Sequence, residues 1–208
     1  ITDADRVNVG KAIPDFYGGI TSNFSYKGFD LSLFGQFSVG GKVMAAWRGV
    51  NGSEGTDHLG LALSNVKVGD RGESVEQFFN ISKEVANGYW RGEGTSNSIP
   101  RPVRIGVHTG YDYDYNVQTS TRYLEDASYF KLKTVTLGYT LPESITKKIH
   151  VNSLRVYVSA DNLLTFTKYS GYDPETSFSG SPGDSNYGVD FGLQPVLRTF
   201  IFGLNLNF

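Results

Sequence analysis

The 208-residue sequence contains no cysteine and only one methionine. The absence of cysteine excludes disulfide frameworks, thiol catalysis and cysteine-ligated zinc or iron–sulfur sites. Long hydrophobic runs are also missing, since apolar stretches such as residues 43–47 are far shorter than the roughly 18 residues that a membrane helix needs. Membrane-spanning strands stay possible, because they alternate in polarity and carry no long apolar run.

An excess of positive charge is lacking as well. The 19 Lys and Arg residues face 21 Asp and Glu residues, which gives a formal net charge of −2. Nucleic-acid-binding domains usually carry clustered basic residues, so nucleic acid is not an expected partner. Residues 1–6 have neither an initiator Met nor the basic and apolar regions of a signal peptide, and we expect the chain to be mature, processed or a fragment.

Glycine and aromatic residues are abundant: 25 residues are Gly and 14% are Phe, Trp or Tyr. This composition is typical of strands and turns rather than of a helical bundle. Alternation with a period of two predicts five strands, at about residues 16–26, 29–39, 129–141, 154–166 and 198–208. The first two are separated by Lys27-Gly28, a tight-turn signal that predicts a β-hairpin.

Each predicted strand has an apolar and a polar side. Three of them count eleven residues, against about five or six in ordinary globular strands and about nine to eleven in tilted membrane strands. The polar side carries Asn23, Ser25, Asp30, Ser32, Gln36, Arg155, Ser159, Asn205 and Asn207. A water-filled barrel lumen and the surface of a soluble β-sandwich both fit this alternation, so period alone leaves the two open.

The connections alternate between short and long. The long ones, at about residues 40–128 and 167–197, would all leave the same end of the strands, as the extracellular loops of outer-membrane barrels do. The short ones would lie at the other end, as periplasmic turns do. Tyr26, Phe29, Tyr139 and Phe208 would then share the periplasmic end as part of an aromatic girdle. Five strands are too few to close a membrane barrel, so the chain would be a piece of a larger one.

One helix is predicted inside the first long loop, at about residues 73–86. Ser74 to Gln77 has the spacing of a capping box, and Asn87-Gly88 provides a stop. Its apolar face would either pack on the loop itself or contact a partner protein.

Catalytic and metal-binding motifs are absent. Asp112, Asp114 and Asn116 have the opening spacing of a calcium loop, but Val117 stands where glycine is required and Tyr123 where the bidentate Glu belongs. His58, His108 and His150 lie far apart, and no nucleophile–base arrangement or phosphate loop is present. We therefore predict no enzymatic activity, no cofactor and no metal site.

Binding residues are predicted in the long loop. Tyr111, Asp112, Tyr113, Asp114 and Tyr115 interleave rings with carboxylates and, together with Trp90, could stack on sugar rings or grip a peptide at a barrel mouth. The alternative is that these rings pack against neighbouring residues.

Four segments resemble the C-terminal end of the SusC/RagA family of TonB-dependent outer-membrane transporters from Bacteroidetes. The most specific is YLEDASYFKLKTVTLGYTLP at residues 123–142, followed by LRVYVSADNLLTFTKYSGYDPE at residues 154–175. Residues 14–32 and 198–208 are also similar to the family, whereas the loop at residues 40–120 carries no match.

This resemblance implies an all-β fold, namely the last strands of a 22-stranded antiparallel transmembrane β-barrel. It further implies an N-terminal plug and a TonB box upstream, neither of which is present in these 208 residues. Family members import glycan or peptide fragments across the outer membrane with a SusD-like surface lipoprotein, using energy delivered by TonB. Phe208 resembles the terminal aromatic residue that the outer-membrane assembly machinery reads. The alternative hypothesis is a soluble extracellular β-sandwich that binds carbohydrate through exposed Tyr and Trp.

Overall fold

The computed structural model describes residues 3–48, 62–63, 66–67, 74–75, 83–100, 103–104, 120–175 and 187–208. The fold is all-β, with little helix. The strands are β1 (Phe16–Tyr26), β2 (Phe29–Val39), β3 (Lys42–Ala45), β4 (Ala62–Leu63), β5 (Val66–Lys67), β6 (Ser74–Val75), β7 (Val103–Arg104), β8 (Leu124–Asp126), β9 (Tyr129–Thr140), β10 (Ser153–Thr167), β11 (Val189–Asp190) and β12 (Thr199–Asn207). The helices are α1 (Lys83–Gly88) and α2 (Glu143–Thr146), with 3₁₀ turns at Asp3–Asp5, Ala46–Arg48, Thr121–Tyr123 and Lys147–Ile149.

The chain forms two compact units. The sheet unit comprises residues 11–42, 126–176 and 194–208, and the loop unit comprises residues 1–10, 43–125 and 177–193. Among the described residues, no helix combines the length and the apolar character needed to cross a lipid bilayer.

The sheet unit is a five-stranded antiparallel sheet in the order β1-β2-β9-β10-β12. The bounds of β1 and β2 are the predicted ones, while β9 differs from its predicted range by one residue at one end, and β10 and β12 differ by one residue at each end. The polar positions predicted from the alternation all fall on the same side, because Asn23 pairs with Ser32, Ser25 with Asp30 and Arg155 with Asn205. We call this side the polar face.

The opposite side, which we call the apolar face, runs without interruption across all five strands. One row of it aligns Phe24, Leu31, Leu137, Val158 and Phe202 through successive strand pairs. Phe24 is 60% exposed and Phe202 is 81% exposed. A soluble sandwich would cover such side chains with a second sheet, and within the part of the chain that the structure describes nothing covers them.

A β-bulge interrupts the period-two pattern in the middle of the sheet. Phe34 pairs with Thr134 and Gly35 with Leu132, so Lys133 of β9 is an extra residue. On the other side of β9, two residues of β10, Asn162 and Leu163, are skipped between the paired positions, and Asn162 has a φ of +53°. The extra residue reverses the alternation in the first part of β9. Tyr129 and Lys131 therefore lie on the polar face, although Val135 and Leu137, which are also odd-numbered, lie on the apolar face.

Gly138 leaves room on the polar face for a pair of charged side chains. A Cβ atom at this position would lie 2.5 Å from Oδ1 of Asp30 and would also overlap the guanidinium of Arg155. Real Cβ atoms do not approach oxygen this closely, so any larger residue must displace the pair.

We therefore expect Gly138→Ala in the full-length protein to lower the free energy of unfolding by about 1 kcal/mol, because the added methyl group breaks the bidentate Asp30–Arg155 pair. Urea unfolding measures the change. Gly88→Ala is the control, since its Cβ would meet only the flexible end of Ile99 at 3.0 Å. Equal stability of Gly138→Ala and the wild type would contradict the packing argument.

The loop unit contains short strands that the sequence did not predict. β3 lies between β11 and β8 in a three-stranded sheet, and β11 pairs with it in parallel. Ala45, Val85 and Tyr123 are buried, with exposures of 0%, 1% and 0%. They form part of the apolar core of this unit, and the buried carboxylate of Asp190 accepts hydrogen bonds from the N–H groups of Gly192 and Leu193.

The helix prediction is only partly right. Ser74 and Val75 form β6, which pairs with β5, so the interpretation of Ser74 as a helix cap is wrong. Residues 76–82 lie outside the described part of the chain. α1 begins at Lys83 and ends at Gly88, where the stop signal was predicted. Capping spacing is a local signal, and strand pairing with β5 overrides it.

Candidate functional site

The predicted binding residues are divided between described and undescribed parts of the chain. Tyr111, Asp112, Tyr113, Asp114 and Tyr115 lie outside the described residues. Trp90 lies in the loop unit directly after α1, is 43% exposed, and donates its backbone N–H to the carbonyl of Ile99 at 2.9 Å. The structure therefore leaves the substrate role of these residues a prediction. Phe208 follows β12 and is 82% exposed.

One ion pair lies on the polar face near the end of the sheet at which the Lys27-Gly28 turn joins β1 to β2. Arg155 of β10 donates two hydrogen bonds to Asp30 of β2, at 2.9 Å from Nε and 2.5 Å from Nη2. The guanidinium also lies 5.0 Å from the ring of Tyr157. The planar fork of Arg matches a carboxylate in this bidentate manner, so the pair links strands that flank β9.

A larger polar cluster occupies the same face near the opposite end of the sheet. Nζ of Lys131 contacts Asp173 and lies 2.8 Å from Glu175, and Nζ of Lys133 lies 2.7 Å from Glu175. Gln36 donates to Glu175 at 3.3 Å. We call Lys131, Lys133, Asp173, Glu175 and Gln36 the lysine cluster.

The lysine cluster attaches a loop to the sheet. Asp173 and Glu175 lie in the segment that follows β10, while the lysines and Gln36 belong to β9 and β2. The N–H of Glu175 donates to Asp173 at 3.0 Å, which closes a tight local turn. The side chain of Lys131 is 3% exposed and that of Asp173 is 7% exposed, so this contact is shielded from water.

The lysine cluster is not among the groups that the sequence predicted. The bulge at Lys133 places Lys131 and Lys133 beside the two carboxylates of the cluster, although strict alternation would put these lysines on the apolar face with Val135. The only signal for the cluster in the sequence is that Lys131 and Lys133 occupy alternating positions that continue as the apolar Val135. Long-range pairing of this kind is not encoded in local periodicity.

Electrostatics favour the charged form of Glu175. Burial raises the pKa of this carboxyl, but the hydrogen bonds and the positive charges of Lys131 and Lys133 together outweigh burial and leave the pKa below its ordinary value of 4.5. Because the folded-state pKa is lowered, the charged carboxylate stabilises the fold at higher pH, and this contribution is lost as pH falls through the folded-state pKa.

We expect the stability difference between the wild-type protein and Glu175→Gln to be constant near neutral pH and to shrink below about pH 4.5. At neutral pH the variant loses the attraction of both lysines, whereas at low pH the wild-type carboxyl is also neutral. Urea unfolding of the full-length protein at a series of pH values measures this difference. A difference that stays the same down to pH 3 would show that Glu175 does not act through its charge.

A second charged group lies in the loop unit. Arg48 is paired with Glu84 and with Glu125, each at 2.7 Å. Burial lowers the pKa of Arg48, but the hydrogen bonds and charges of the two carboxylates outweigh it, so the net shift is upward and Arg48 stays charged. Arg48 and Glu84 line a cleft that also includes Arg122 and Ser98. The described residues contain no group of three or more side chains suited to a metal ion.

The sequence comparisons and the structure comparisons identify the same type of protein. The chain matches no protein-family profile. It is 34% identical over its whole length to TonB-dependent receptor P3 of Formosa agariphila, and 25% identical to the TonB-dependent receptor SusC of Bacteroides thetaiotaomicron. It covers 18% of the first relative and 16% of the second, so the chain spans less than a fifth of the length of these relatives.

Solved structures match the fold as well. The RagAB peptide importer in its closed-closed state superposes with a TM-score of 0.67 at 24% identity, and in its open-open state with a TM-score of 0.65 at 23% identity. Each match covers 100% of this chain and 19% of the solved chain. The sequence matches over the whole chain and the superposed folds together show that the chain resembles part of the TonB-dependent receptors of the SusC/RagA type.

Proposed function

We propose that the chain is the C-terminal section of a 22-stranded outer-membrane barrel that imports oligosaccharide or oligopeptide fragments in a TonB-dependent manner. A plug and a TonB box would precede it in the whole protein. A SusD-like lipoprotein would cover the barrel from outside, and the long loops at residues 40–128 and 167–197 would face that partner. No residue of the chain would perform chemistry.

The observation that carries this proposal is the two-sided character of the five-stranded sheet. Its apolar face exposes residues such as Ile20, Phe202 and Leu204, at 56%, 81% and 64%. Its polar face holds charged groups that are paired with one another, as Asp30 is with Arg155. Hydrocarbon favours the first face, and a hydrated lumen favours the second, because unpaired polar groups in lipid cost several kcal/mol each.

The proposal is tested by locating both faces in the full-length receptor. The 208 residues contain no cysteine, so single cysteines can be introduced and labelled with an environment-sensitive fluorophore once any cysteines elsewhere are removed. We expect the label at Phe202→Cys to be quenched by brominated lipids. A label at Ile201→Cys, the next residue along β12 and on the polar face opposite Ser159, should be unaffected.

Two results would contradict the proposal. The first is a receptor that fractionates with soluble proteins, as the carbohydrate-binding β-sandwich requires. The second is equal quenching at both labelled positions. The partner is tested separately, since a SusD-like lipoprotein should co-purify with the affinity-tagged receptor from outer membranes, and the nutrient that supports growth only in the presence of the receptor identifies the substrate class.

A further inference from the structure

We propose that the turn end of the sheet binds the headgroup of an anionic phospholipid through Lys27 and Lys148. We define the turn end as the Lys27-Gly28 turn between β1 and β2 together with residues 141–152 between β9 and β10. This inference rests on the proposed membrane orientation, in which the short connections face the periplasm.

The two connections of the turn end are adjacent in the fold. Phe29 pairs with Tyr139 across β2 and β9, and the N–H of Thr140 donates to the carbonyl of Gly28 at 2.8 Å. α2 begins three residues after Thr140 and is followed by Lys147 and Lys148. Lys27 and the lysines after α2 therefore lie at one edge of the same sheet.

Apolar and aromatic side chains at this edge are exposed in the way that an interface with lipid requires. Tyr26 is 70% exposed, Phe29 is 52% exposed and Ile145 of α2 is 46% exposed. The rings of Phe29 and Tyr139 lie 4.5 Å apart, and Nζ of Lys27 lies 5.2 Å from the ring of Tyr26. Aromatic rings and lysines in this arrangement are typical of the level at which headgroups meet acyl chains.

The charge at this edge is positive and only partly neutralised. Glu143 is the single acidic residue in the turn end, and it pairs with Lys147 at 2.7 Å. The pair lowers the pKa of Glu143 and raises that of Lys147, through their hydrogen bond first and their charges second, so both stay ionised. Among the described residues, Lys27 and Lys148 have no acidic partner.

The opposite end of the sheet gives a contrast. Lys131 and Lys133 are bound by Asp173 and Glu175, Lys11 pairs with Asp15 at 2.8 Å, and the charges of Lys42 and Lys168 act on Asp126. Lys11, Lys131 and Lys133 are ion-paired within the protein, whereas Lys27 and Lys148 keep positive charge available at the end that exposes apolar groups. A phosphodiester headgroup attached to acyl chains complements that combination.

The test uses the full-length receptor in a non-ionic detergent, titrated with phosphatidylglycerol and followed by native mass spectrometry. We expect Lys27→Ala/Lys148→Ala to weaken phosphatidylglycerol binding about thirtyfold, because each lysine beside an anionic lipid contributes about fivefold. Lys27→Arg/Lys148→Arg should bind as the wild type does. Glu143→Gln/Lys147→Met is the matched control, because it removes both members of an ion pair and leaves the net charge of the turn end unchanged.

Unchanged phosphatidylglycerol binding in the double alanine variant would overturn the inference, as would an equal loss in Glu143→Gln/Lys147→Met. Binding of phosphatidylethanolamine should be the same in all variants, and a parallel loss would indicate damage to the fold rather than loss of charge recognition. The proposed function fails in a different way, because a receptor that does not reside in the outer membrane is detected by fractionation before any lipid is added.

Discussion

Replacing Lys131 by methionine is expected to destabilise the full-length receptor by about 3–5 kcal/mol, because the buried Asp173 and the partly buried Glu175 lose the ammonium group that they share. The side chains of Lys131 and Asp173 are both almost fully buried, at 3% and 7% exposure, and methionine fills a similar volume without charge. The loop at residues 168–175 should detach from the sheet. Its hydrogen exchange should rise accordingly, and urea unfolding should report the loss of stability.

Two further variants separate charge from packing. Lys131→Met/Asp173→Asn removes both charges and retains an oxygen that accepts the N–H of Glu175, so it should recover more than half of the lost stability. Lys147→Met breaks an ion pair whose side chains are 76% and 77% exposed, and no measurable change is expected. If the double variant is as unstable as Lys131→Met alone, the buried charge is not the cause.

An arginine on the apolar face should prevent stable insertion of the receptor. Ile20 lies in the middle of β1 and is 56% exposed on that face. Arg near the bilayer midplane costs about 2–4 kcal/mol in a transmembrane barrel, so Ile20→Arg should lower both the folded fraction in outer membranes and the urea concentration at which the receptor unfolds.

The control for this substitution is the next residue in the same strand. Thr21 pairs with Phe34 on the polar face, where water or other lumenal groups can solvate an added charge. Thr21→Arg should therefore assemble as the wild type does. Equal loss of outer-membrane protein in both variants would mean that the two faces of β1 do not differ in environment, and the lipid-facing assignment would be wrong.

The sequence alone determined the five strands and their two faces. Period-two alternation over eleven residues is a local property of the chain, and long uninterrupted alternation leaves few competing structures. This is why the bounds of β1 and β2 could be predicted to the residue and why Asn23, Asp30 and Arg155 were placed on the polar face. The resemblance of residues 123–142 and 154–175 to the SusC/RagA family identified the same fold class.

Strand register and ion pairing were decided by the tertiary structure, because local periodicity does not encode them. The bulge at Lys133 shifts the phase of β9, and only the pairing of β9 with β2 and β10 shows it. That shift brings Lys131 to Asp173, 42 residues away along the chain. The spacing at Ser74 predicted a helix cap, but Ser74 belongs to a strand that pairs with β5. Strand signals are local and can be read from sequence, whereas register and ion pairing depend on segments that meet only when the chain folds.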